Sequence, residues 1–212
     1  MRWIVFILFL LSGACGLIYE VAWSRVMTEI IGSTVIAVGT VLAAFMSGLA
    51  LGSYLIGRRG DDSSNPLRLY AFLEFGIGLS ALIAQLLMDR TGSLYVWLHQ
   101  AVGDHAPVIA VIRFAIAFAL LLPPTVLMGA TLPVLSRFVI TRLSSVGSSL
   151  GTLYAINTLG AVAGSLAAGF YLIGTLGIHR TVFLAVVGNI AIGLIAWWVS
   201  RRYSAESTPE DE

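Results

Sequence analysis

Glu20 stands at the far end of the first apolar run of a very hydrophobic chain, within Ser12-Gly13-Ala14-Cys15-Gly16-Leu17-Ile18-Tyr19-Glu20-Val21-Ala22-Trp23-Ser24-Arg25. Taking a charge out of water near lipid is costly, so a carboxylate there is a functional-site candidate by default. Tyr19 and Trp23 are four residues apart and share a helix face beside it. Aromatic faces next to a carboxylate suit an organic cation, through cation–π attraction plus an ion pair; they equally suit a plain membrane-interface belt. Glu74 lies roughly 10 Å into the third apolar run at 1.5 Å per residue, and Asn157 lies at a similar depth in the fifth. Arg113 lies roughly 9 Å into the fourth run from the opposite edge, about level with Glu20. Two polar layers are expected, Glu20 with Arg113 and Glu74 with Asn157. Either Glu20 and Arg113 neutralise each other and lock the helices together, or Glu20 holds a cation or proton and Arg113 tunes it. Glu74 has no basic neighbour at its own depth except Arg68 or Arg137 reaching up, so it is the better candidate for a protonated acid.

These residues are carried by runs that read as membrane spans. The chain has 212 residues, 58% apolar and only 11% charged, against about 25% charged in soluble domains. A helix crosses the hydrocarbon in about 20 residues. The runs at 3–23, 34–56, 67–88, 108–140, 150–173 and 181–199 make an all-α membrane domain over 1–200, with an acidic tail at 201–212 that is expected to be disordered. The run at 108–140 is too long for one straight crossing and holds Pro123-Pro124, so it is either one kinked helix or two short spans. Arginine placement favours six spans. With the N-terminus inside, Arg2, Arg58, Arg59, Arg68, Arg137, Arg142, Arg201 and Arg202 are cytoplasmic, and only Arg25, Arg90 and Arg180 lie outside. Tyr95 and Trp97 outside, with Trp197, Trp198 and Tyr203 inside, are the expected interfacial anchors. Gly48 and Gly52, like Gly160 and Gly164, are spaced to let helix backbones approach closely.

Several function classes find no support. A net charge of +1 argues against nucleic-acid binding, which needs a concentrated basic patch. Cys15 is the only cysteine, so no internal disulfide forms. His99, His105 and His179 are widely spaced, and surface histidines are expected rather than a metal site. No phosphate loop, dinucleotide fingerprint or nucleophile elbow is present, and no cofactor is expected.

The motif around Glu20 is followed by Gly32-Ser33-Thr34, Ala43-Ala44-Phe45-Met46-Ser47-Gly48-Leu49-Ala50-Leu51-Gly52-Ser53, Pro123-Pro124-Thr125-Val126-Leu127-Met128-Gly129-Ala130-Thr131-Leu132-Pro133 and Leu153-Tyr154-Ala155-Ile156-Asn157-Thr158-Leu159-Gly160-Ala161. In this order they resemble the membrane domain of the fused major facilitator/spermidine synthase-like proteins, over about residues 4 to 200. The resemblance implies a six-helix half of a major facilitator transporter, often followed by a soluble domain similar to polyamine aminopropyltransferases. The chain stops after the sixth span, so that activity is not expected to carry over, and no enzyme is expected. Two halves of a facilitator are parallel repeats, so a homodimer is expected to rebuild the whole. The resulting expectation is an inner-membrane, multi-pass carrier with both termini cytoplasmic. Its substrate would be a small organic cation such as a polyamine, with possible proton coupling, and Glu20, Tyr19, Trp23, Arg113, Glu74 and Asn157 would form its site. The alternative is a non-transporting scaffold for a separately encoded soluble synthase-like partner.

Overall fold

The computed structural model describes residues 2–59, 65–90, 105–139 and 146–206. Six long helices follow one another: α1, Arg2–Ile31; α2, Thr34–Arg59; α3, Pro66–Met88; α4, Ala106–Val139; α5, Val146–Ala167; and α6, Ile178–Glu206. Helix α5 continues through a π-helical turn, Ala168–Leu172, into a last turn, Ile173–Leu176. All six are long and apolar enough to cross a membrane. Tyr95, Trp97 and His99, residues 60–64, Arg142 and the acidic end at 207–212 lie outside the described residues.

Local chemistry sets the helix ends. Gly32 and Gly177 both take φ +79, a left-handed conformation that costs glycine nothing. Their amides close the ends of α1 and α5 on Thr28 O at 3.0 Å and Ile173 O at 3.1 Å. Asn65 caps α3 by accepting from the Arg68 amide at 3.0 Å, with Pro66 in the first turn, where a missing N–H is harmless. Helix α1 runs on through Ser24 and Thr28 to Ile31 because those hydroxyls donate to the carbonyls of Glu20 and Ser24, both at 2.8 Å, and so satisfy themselves within the helix.

The prolines of the fourth run do not divide it. Helix α4 is continuous for 34 residues with Pro123, Pro124 and Pro133 inside. Proline removes an amide donor and leaves a carbonyl one turn back without its partner, here those of Ala119, Leu120 and Gly129, and the helix runs on through all three prolines. Thr125 Oγ1 lies 2.9 Å from Leu121 O and 3.0 Å from Leu122 O, and Ser136 donates to Pro133 O at 2.7 Å.

Helix α1 packs against α2, α5 and α6, α3 against α4 and α6, and α2 most extensively against α4. Two seams are close because they are lined by glycine. A Cβ at Gly48 or Gly52 would collide with Thr125, or with Val126 O and the Ala130 amide, and one at Gly129 would strike the Leu49 backbone. Gly160 and Gly164 meet the carbonyls of Leu10 and Ala14 in the same way. Large apolar side chains stand exposed on every helix, among them Ile7, Val35, Leu79, Val111, Phe170 and Leu194. Val35 at 83% and Phe170 at 87% exposure face outward, where a water-soluble monomer keeps only limited apolar patches.

Candidate functional site: a buried carboxyl network beside a cavity

Glu74 is fully buried on α3, and its partners are neutral. Ser12 Oγ on α1 donates to Glu74 Oε1 at 2.6 Å, and Asn189 Nδ2 on α6 donates to Oε2 at 2.6 Å. Asn189 Oδ1 in turn accepts from the Tyr19 hydroxyl at 2.7 Å. One hydrogen-bonded chain therefore ties α1, α3 and α6 together. A buried carboxyl costs several kcal/mol in lost hydration, and hydrogen bonds to it contribute about 1.5–3 kcal/mol each. The network therefore roughly offsets its own burial, and its main effect is to make any single member costly to remove.

Tyr19 and Trp23 are both fully buried and stack with ring centres 5.0 Å apart at 18°. Trp23 also packs against Phe45 at 6.0 Å. The structure thus turns Tyr19 toward Asn189, and neither ring lines the cavities that Glu20 lines. Glu20 is half-buried and borders two hollows. One, of about 130 Å³, lies between α1, α2, α4 and α5, and takes in Ser12, Glu20, Phe45, Met128, Thr131 and Asn157.

Arg113 is not brought to Glu20. Its Nη1 donates to the Ile31 carbonyl at 3.3 Å, a favourable place for a cation because a helix C-terminus carries partial negative charge. Ile31 lies about 16 Å further along α1 than Glu20 at 1.5 Å per residue, so the two do not share a level. Asn157 packs its carbonyl and its side-chain oxygen against Gly13, next in sequence to the serine that holds Glu74. Ser12 and Asn189 were not singled out from the sequence. Asn189 is a lone amide in an otherwise apolar stretch of α6, and polar side chains inside such spans bond across helices; that signal was available.

The groups at one end of the bundle are simpler. His179 is exposed and meets Asp89 at 3.0 Å, while Gln85 Nε2 donates to the same carboxylate oxygen at 2.8 Å. Among the described residues no three His, Cys, Asp or Glu side chains gather in a way that could hold a metal. At the opposite end Arg201 lies over Trp197 at 5.0 Å and Arg202 over Trp198 at 3.7 Å.

No family model matches the chain, and no solved structure matches it. Curated proteins do. Polyamine aminopropyltransferase 1 of Streptomyces coelicolor is 23% identical over 197 residues, covering 92% of this chain and 33% of its own. Polyamine aminopropyltransferase 2 of the same organism is 29% identical over 182 residues, covering 85% and 31%. The polyamine aminopropyltransferase of Mycobacterium tuberculosis is 28% identical over 202 residues, covering 89% and 35%. The chain spans about a third of the length of the relatives it matches. These similarities overturn two expectations, a carrier function and the absence of an enzyme, because the relatives that share these helices are named as enzymes and not as transporters. The physical reason is that apolar helices with a buried acid are not specific to transport: the neutral partners around Glu74 hold it as a packing element would.

Proposed function

We propose that this chain is the membrane-inserted helical part of a polyamine aminopropyltransferase, and that polyamine aminopropyl transfer depends on it. The observation that carries the reading is the shape of the similarity. It runs through 85 to 95% of this chain but only about a third of each relative, so these helices correspond to one portion of longer proteins named as enzymes. The exposed apolar side chains on all six helices support insertion in a bilayer. An even number of crossings returns both ends to one side. Arg68, Arg201 and Arg202 lie at that end, around a hollow shared by Asn65, Arg68, Ser200 and Arg201, which supports a cytoplasmic placement in the inner membrane by the positive-inside rule. A facilitator-like half fold is the arrangement we attach to it.

The test is genetic and chemical. Removing the gene from the cells that carry it should lower the cellular content of aminopropylated polyamines at least several-fold, and re-expressing the chain should restore it. An unchanged polyamine profile would overturn the reading.

A further inference from the structure

Three of the polar groups that line the cavity beside Glu20 offer it acceptors, and Asn157 adds an amide. Ser12 commits its only hydroxyl proton to Glu74 at 2.6 Å, and Thr131 commits its own to Met128 O at 2.7 Å, so both show the cavity only lone pairs. The Glu20 carboxylate is an acceptor throughout, and among the described residues it has no hydrogen-bond or ion-pair partner. Arg25 lines a second hollow on the other side of Glu20 without forming an ion pair with it. Acceptors at Ser12, Glu20 and Thr131 are complementary to a ligand group that only donates, and ammonium groups are such groups. Ser12 and Glu20 are two turns apart on one face of α1, about 12 Å at 1.5 Å per residue. Leu17, Phe45 and Met128 make the wall between them apolar.

We infer that this cavity is a binding site for a linear amine carrying an ammonium group at each end, with Glu20 as counter-ion at one end and Ser12 and Thr131 as acceptors toward the other. Methylenes lie against the apolar stretch between them. The Met128 thioether and the Phe45 ring are compatible with alkyl chain and cation alike. Glu74 stands behind Ser12 and adds acceptor character at the far end without touching the ligand. The inference rests on the aminopropyltransferase reading only in its choice of polyamines as probes.

The purified chain in detergent should bind radiolabelled spermidine saturably, with putrescine competing better than n-butylamine and Mg²⁺ competing poorly. Glu20→Gln should weaken binding at least tenfold. Gly16→Leu should abolish it by filling the cavity from a position where a Cβ meets only Met128 Sδ at 3.8 Å. Glu29→Gln, an exposed acid on the same helix, should leave binding unchanged, and thermal unfolding of all three variants reports that they remain folded. Absence of saturable binding, equal binding by folded Glu20→Gln, or competition by Mg²⁺ as strong as by spermidine would overturn the site. Absent binding with polyamine content still dependent on the gene would sink the site alone. Binding retained with no such dependence would sink the functional reading alone.

Discussion

Gly52→Leu and Gly129→Leu should each strip the protein of most of its stability, while Gly39→Leu on the same helix as Gly52 should change little. The difference follows from what a side chain would meet. At Gly52 a Cβ would fall on the Val126 carbonyl and the Ala130 amide, and at Gly129 on the Leu49 backbone. Overpacking a core costs about 1–3 kcal/mol when side chains can shift, and more when they cannot. Here the obstacle is backbone, so α2 and α4 must separate along their whole seam, and we expect a loss above about 3 kcal/mol. Gly39 has nothing within 4 Å of its added carbon, so its substitution should stay within about 0.5 kcal/mol of the parent. Thermal unfolding of the detergent-solubilised chain measures both. Equal melting of the Gly52 and Gly39 variants would mean that the close α2–α4 contact does not exist.

The second large effect concerns Glu74. Glu74→Ala should destabilise the protein by about 3–5 kcal/mol, because it leaves the Asn189 amide without its acceptor and opens a void at a fully buried position. Ser12 is less harmed, since its hydroxyl can turn back to the Leu8 carbonyl one turn earlier in α1. Glu74→Gln should cost much less. Its amide oxygen can face Asn189 Nδ2 while its nitrogen donates to Ser12, which then acts as acceptor. Replacing the network together, as Glu74→Leu with Asn189→Leu and Tyr19→Phe, should recover much of the loss, because apolar groups of similar shape leave no polar atom stranded. If Glu74→Ala melted like the parent, or if the triple replacement were worse than Glu74→Leu alone, the chain of bonds would not be the tie between α1, α3 and α6.

What the sequence disclosed was the part of the structure governed by composition along the chain. Six apolar runs gave six long apolar helices, and the fourth run, which the sequence left as one kinked helix or two short spans, is one continuous helix through Pro123 and Pro124. Lateral neighbours were harder to read. Counting residues from a span edge fixes a depth but says nothing about direction around the helix axis. Glu74 was placed beside Asn157, yet it is held by Ser12 and Asn189. Tyr19 points to α6, although its neighbour Glu20 borders a cavity. The Glu20–Arg113 layer failed for a related reason. Helix α1 does not end near Trp23, and Arg113 serves its true terminus at Ile31. Function was least legible, because an acid inside an apolar helix looks the same whether it binds a solute or holds a bundle together.

The proposed function places a polyamine aminopropyltransferase activity in a membrane through these helices. The most direct measurement is aminopropyl transfer, assayed by mass spectrometry of the polyamine product, in washed membranes and in the soluble fraction of cells with and without the chain. We expect activity in the membranes that is lost when the chain is removed and when it carries Gly52→Leu. Activity of the same size in the soluble fraction, indifferent to the chain, would contradict it.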